Sequence, residues 1–240
     1  SMASYKIVPL RDESIDTEAI EAGIEATSAF NSDADLRSGM LPQTFNVGAD
    51  GVCWAEYGRE TYYDLTTLEG TEETKRADRY AVIFLQNGYV AIAKATKEVE
   101  QEILTTLAAV LDEDVKFETV EFDEEDLRTV IEESSRVQRV DVSPSKRERQ
   151  DYVSAQDRGD LRETDWWEQY FGDTFEQVRV DLPNRNIAVE VGFDDTGRIT
   201  LYGREIEMAV QAEAMRYLTD EIIDPYRSPS DFQGTLGGYK

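Results

Sequence analysis

The sequence predicts an α+β fold: a mostly antiparallel β-sheet with helices packed on one face, containing two β-hairpin-plus-helix units. Three observations carry that expectation. Short apolar runs such as Tyr80–Leu85 and Tyr89–Ala93 flank an Asn87-Gly88 turn signal, because both turn residues tolerate positive φ. A helical pattern of Val99, Ile103, Leu107 and Val110 follows, opened by Thr96 as its cap. The same order returns near the C-terminus. There Ile187–Val191 and Arg198–Tyr202 flank the turn Asp194-Asp195-Thr196-Gly197, and a helix over 205–223 carries Met208, Ala212, Met215 and Leu218. Gly88-Tyr-Val-Ala-Ile-Ala aligns with Gly197-Arg-Ile-Thr-Leu-Tyr. β-β-α is among the commonest small motifs, so the likeness leaves duplication and coincidence both open.

The remaining elements follow in chain order. Tyr5 to Pro9 reads as a strand, and Asp16 to Phe30 as a helix capped by Asp16 or Ser14, with Ile20, Gly23, Ile24 and Thr27 on one face. Asn31 to Gln43 reads as loop. Val52–Tyr57 and Thr61–Thr66 read as two strands joined by a turn at Gly58-Arg59, with the charged stretch Gly70–Ala77 as a connection. Val115 to Phe122 reads as a strand. Its apolar parity changes between Phe117 and Val120, which predicts a bulge near Thr119 or cover on both faces. Asp123 with Asp126 resembles a capping box before Leu127, Val130 and Ile131.

This organisation gives an N-terminal α+β unit over 5–135 and a connecting segment over 136–163. A C-terminal β-hairpin-plus-helix unit over 164–224 packs on the first as one domain, and 225–240 is a loose Ser-, Pro- and Gly-rich tail.

Charge sets the environment. The 240 residues include 51 acidic and 25 basic side chains and no histidine, a formal net charge of -26. The acids are dispersed among recurring Trp, Tyr and Phe, unlike a disordered acidic tail. Of the basic residues 18 are Arg and 7 are Lys. At ~1 M salt the Debye length falls to about 3 Å, which screens self-repulsion of this size. The composition therefore points to a halophile, most simply an archaeon or one of its mobile elements, and to a cytoplasmic protein. A DNA mimic is the rival explanation, and it would stripe the acids along one face.

Residue types also exclude chemistry. Without histidine there is no Ser-His-Asp or Cys-His nucleophile pair, no His general base and no His-ligated zinc. The lone Cys53 excludes internal disulfides and thiolate clusters, and its apolar setting reads as core. Neither a phosphate loop, nor a GxGxxG fingerprint, nor a GxSxG elbow occurs. No cofactor is expected. No apolar run reaches the roughly 18 residues of a membrane span. Ser1-Met2-Ala3-Ser4 reads as a cloning scar, with no signal peptide.

Carboxylate chemistry survives, with Asp194 and Asp195 or Glu205 and Glu207 as Mg²⁺ candidates for a phosphoesterase. In so acidic a chain, solvated faces and turns explain such pairs. Asp33-Ala-Asp35 starts like a calcium loop, but Arg37 takes a ligand position and Thr44 stands where a closing Glu is needed. Lys94 and Lys97 lack neighbouring acids at Ala93 and Ala95.

Binding is the function class the sequence favours. From 136 to 162, Arg136, Arg139, Lys146, Arg147, Arg149, Arg158 and Arg162 oppose five acids, a local balance of +2. This segment is a candidate DNA or RNA surface. Molar salt weakens such contacts, and the arginines can instead pair with surrounding acids. Trp166, Trp167, Tyr170 and Phe171 form a second candidate, a protein-binding or homo-oligomeric surface on a helix capped by Thr164. Core packing is the competing role for these rings. Trp54, Tyr57, Tyr62 and Tyr63 could stack bases on an open sheet or simply half-bury there.

Overall fold

The computed structural model describes residues 2–143, 153–156, 159–165, 167–170, 172, 174–183 and 190–223. It is an α+β fold with a mostly antiparallel sheet, as the sequence predicts. The chain divides into two compact units. One comprises residues 8–118, and the other residues 2–7 with 119–223.

The 8–118 unit is built on four strands in the order β2-β3-β4-β5. These are Ser38–Val47, Cys53–Thr67, Gly70–Phe84 and Tyr89–Ala93. Helices α1 (Thr17–Ala26) and α2 (Lys97–Val110) cover one face. Cys53, Ala55, Tyr57, Val82, Phe84, Val90 and Ile92 point into that core, where Ile20, Ile24, Ile103 and Leu107 meet them. Full burial of such aliphatic and aromatic side chains contributes about 1.5–3 kcal/mol each. Asp16 caps α1 by accepting from the Glu18 N–H at 3.2 Å. Thr96 caps α2 by accepting from Val99 at 3.4 Å. Gly23 marks the approach of the two helices: a Cβ there would stand 2.0 Å from the Val110 carbonyl oxygen. Burial pushes the Cys53 thiol up to about 12, so it is neutral and inert in the core.

The structure corrects three expectations here. Gly58-Arg59 is no turn; β3 runs unbroken for 15 residues, and the Leu41 side chain packs over Gly58. Gly70–Ala77 is no connection but the outer half of β4, paired residue by residue with β3. The presumed loop 31–43 contributes the first half of β2, whose Pro42 stands where the register shifts between Leu41 and Asn46. An edge strand with a bulge tolerates proline, so the residue that argued for loop fits the strand. At the Asn87-Gly88 turn, positive φ falls on Gln86 (59°) and Gly88 (87°). The Gln86 carboxamide holds that turn by pairing with the Ile15 N–H and C=O, each at 2.7 Å.

The other unit takes its strands in the order β1-β10-β9-β8-β6-β7. They are β1 (Met2–Pro9), β6 (Arg136–Ser143), β7 (Val153–Gln156), β8 (Thr174–Asp181), β9 (Glu190–Asp194) and β10 (Ile199–Tyr202). Met2, Ala3 and Ser4 pair with Tyr202, Leu201 and Thr200, so these three of the residues read as a scar lie within β1. Val137, Val140, Val178, Val180, Val191, Phe193, Ile199 and Leu201 are buried. Helix α3 (Glu124–Glu133) opens with the expected capping box between Asp123 and Asp126 and buries Leu127, Val130 and Ile131. Helix α5 (Met208–Tyr217) continues into a π-helical turn, Leu218–Ile223.

Val115–Phe122 forms no ladder strand. Its parity change has a structural cause. Phe117 belongs to the core of the 8–118 unit, whereas Val120 and Phe122 are buried after the chain has passed into the other unit. Val120 donates to the Ile7 carbonyl at 2.9 Å, and the Phe122 ring lies 6.0 Å from Phe193. The segment 136–143, read as connection, is strand β6, held by β8 on one side and β7 on the other. Residues 184–189, which include Ile187 of the expected strand, and the tail 225–240 lie outside the described residues.

Candidate interaction surface

The candidate nucleic-acid residues do not assemble into an open basic face where they are described. Arg136 pairs with Asp181 at 2.7 Å. Arg139 pairs at 3.2 Å with Asp141, whose side chain is buried. Arg162 is an architectural clamp. Its guanidinium pairs with Asp160 at 2.7 Å and donates to the carbonyl oxygens of Ile131 and Ser135 at 3.0 and 3.2 Å. It thereby satisfies acceptors at the C-terminal end of α3, where cations are favoured. The hydrogen bond from Arg162 holds the Asp160 carboxyl below the usual carboxylate range. Lys146, Arg147, Arg149 and Arg158 lie outside the described residues.

The aromatic helix is the short α4, Trp167–Tyr170. Trp167 is only 9% exposed and stacks at 5.8 Å on Phe175 of β8, so this ring plugs the core. Trp166, Phe171 and the Tyr170 side chain lie outside what is described. Asp194, a candidate metal ligand, builds its own turn. One carboxylate oxygen accepts from the N–H groups of Thr196 and Arg198 at 3.0 and 3.1 Å, and the other pairs with Arg198 at 2.8 Å. Burial, then the charges of Asp194 and Glu176, raise the Asp195 carboxyl. Among the described residues, no three acidic or cysteine side chains stand together as a metal centre.

A different surface emerges from β3 and β4. Their ladder continues well past the core. The last pairs, from Thr61↔Arg76 to Thr67↔Gly70, form an arm closed by Leu68-Glu69. Every residue from Asp64 to Glu73 is exposed. The arm displays apolar side chains to solvent: Leu68 is 107% exposed, Leu65 47% and Tyr62 43%. Tyr62 and Leu65 lie on opposite faces of β3 and Leu68 in the closing turn, so the arm offers apolar side chains on both faces and at its tip. Cation–ring contacts stiffen the arm, with the Lys75 ammonium 5.8 Å from the Tyr62 ring and the Arg76 guanidinium 5.7 Å from Tyr63.

The foot of the arm is fastened. Lys75 donates to the Asp35 backbone carbonyl at 2.6 Å and its carboxylate at 2.9 Å. Arg37 and Glu60 exchange bonds across the outer side of β3: Glu60 N–H to Arg37 C=O at 2.9 Å, and Arg37 N–H to the Glu60 carboxylate at 3.1 Å. On the core side, Arg59 reaches Glu102 at 3.1 Å and Glu98 at 3.3 Å on α2. A shallow pocket of about 590 Å³ opens at this foot, with Phe30, Asp33, Arg37, Lys75 and Arg79 among its walls.

Sequence reasoning missed the arm because it divided β3 at Gly58 and left Gly70–Ala77 unpaired. The signal that could have found it is the β-forming run Thr61-Tyr-Tyr-Asp-Leu-Thr-Thr, followed after two residues by another extended run. No protein-family model matches the chain, and no curated protein matches it in sequence.

Proposed function

We propose that this chain is a non-catalytic interaction module of a halophilic archaeon or its mobile elements, acting in the cytoplasm through protein–protein contact. The observation that carries this reading is the β3–β4 arm, which presents Tyr62, Leu65 and Leu68 to solvent from a base fixed in the core. The ion pairs made by Arg136, Arg139 and Arg162 favour protein over nucleic acid as the partner, since each cation already has an acidic neighbour. The dispersed charge of -26 favours a cytoplasm of molar KCl.

A tagged pull-down from halophile lysate in molar KCl, split with and without nuclease, tests the partner class. Nuclease-resistant partners that Leu68→Asp releases are expected. Retained nucleic acid, or partners indifferent to the Leu68 change, would overturn the reading. The environment has its own test. The melting temperature should rise steadily from dilute buffer to ~1 M KCl, where the Debye length is about 3 Å. A melting temperature independent of salt would remove the halophile.

A further inference from the structure

We propose that the open edge of β4 pairs with the same edge of a second copy of this chain, antiparallel about Thr74, to form a two-fold dimer. This rests on the arm being the contact element and names its partner. On one side β4 is paired with β3 throughout; on the other, β5 takes only Val82–Phe84. From Thr71 to Ala81, the second edge therefore has no ladder partner among the described residues. A strand edge offers a row of main-chain donors and acceptors ready for another strand. Foldable proteins blunt such edges with charges that repel a copy.

The charges here are ordered in the opposite sense. The run along this edge is Thr71-Glu72-Glu73-Thr74-Lys75-Arg76-Ala77, exposed except for the half-buried Thr74. Antiparallel pairing about Thr74 places Glu72 opposite Arg76 and Glu73 opposite Lys75. The two-fold axis repeats both pairs, so four cross-strand pairs of opposite sign form and no like charges face each other. Directly opposed residues of opposite charge stabilise a sheet pair, and like charges destabilise it. Moving the axis by one residue, the smallest change that keeps matching backbone groups opposed, loses this: centred on Lys75 it sets Lys75 against its own copy, and centred on Glu73 it sets Glu73 against its own copy. The charge order thus selects both the partner and the register. An isologous contact of this kind closes on itself, so it yields a dimer and no fibre. The edge is also reachable. Glu72, Glu73, Lys75 and Arg76 are exposed, and the intrachain partners of Lys75 and Arg76, Asp35 and Asp78, stand at the surface. The outer side of β3 is less suited, since the Arg37–Glu60 exchange occupies its foot.

Sedimentation equilibrium in the lowest KCl concentration that keeps the native spectrum measures the assembly. The wild type should dimerise. The double variants E72K/E73K and K75E/R76E should each be single chains, and an equimolar mixture of the two should restore a dimer. Register is read by crosslinking. Directly opposed residues lie about 4.5–5.5 Å apart at Cα, within reach of a disulfide. Thr74→Cys should therefore oxidise to a covalent dimer. Glu72→Cys should not, because its own copy lies four positions away. The buried Cys53 does not compete. A wild type that remains a single chain, a dimer that survives either charge reversal, or equal crosslinking at both cysteines would overturn the pairing. A single chain that still retains nuclease-resistant partners through Leu68 would overturn the pairing alone and leave the interaction reading standing.

Discussion

The inner and outer halves of the β3–β4 hairpin share one uninterrupted ladder, yet they do opposite work. From Cys53 to Tyr57, alternate side chains are sealed beneath α1 and α2. From Asp64 to Glu73, every side chain meets water. Backbone pairing is therefore not what divides them; side-chain surroundings are. The inner half draws its stability from apolar burial. The outer half inherits its geometry from the inner, because a hairpin exposed on both faces is at best marginal alone.

Three changes would break or sharpen that contrast. Phe84→Ala, opposite Cys53 in the sealed half, should cost about 3–5 kcal/mol through lost burial and the cavity left behind. Urea unfolding in molar KCl measures it. A loss as small as a surface change would mean that the hairpin base is not part of the cooperative core.

Arg162→Ala probes a side chain between these extremes, half-withdrawn from solvent in the other unit. It removes bonds to Asp160 and to carbonyls at the end of α3, and should cost about 1–3 kcal/mol. The pH dependence has a definite sign. Asp160 titrates lower folded than unfolded, so its contribution is complete above the unfolded value of about 3.9 and disappears as pH falls through the lower folded value. The stability gap between wild type and variant should hold steady at neutral pH and narrow only below about pH 4. A gap that closed near pH 7 would show that the pair is not the cause.

Leu68→Asp, at the tip, should leave stability within about 0.5 kcal/mol of wild type, as exposed substitutions do. A larger loss would show that the tip is anchored and not free to bind.

The same contrast explains what was legible in the sequence. Where a strand is covered on both faces it is apolar throughout, as Val82–Leu85 and Tyr89–Ile92 are buried without a break, so Tyr80–Leu85 with Tyr89–Ala93 could be placed without a structure. Helix starts were equally clear, because Thr96 and the Asp123–Asp126 pair satisfy backbone N–H groups through local bonds that depend only on spacing. The arm has no hidden face, so no alternation separates Gly70–Ala77 from a charged loop. Gly58 looked like a turn because its cause, the Leu41 side chain lying over it, comes from a strand 17 positions earlier. The arginines could be counted but their partners could not, since Asp181 lies far from Arg136 in sequence. The parity change at 117–120 was visible as an irregularity. Its meaning, a passage from one core to another, required both cores to be known.

The order in which the chain is made gives β1 an unusual history. Met2–Tyr5 are synthesised well ahead of their ladder partners Ile199–Tyr202. At about 5–20 residues per second, synthesis separates the two by roughly 10–40 s. The 8–118 unit is contiguous, and its whole sequence is available long before then. Vectorial folding should thus let the contiguous unit form while Met2–Tyr5 still lack their Ile199–Tyr202 partner.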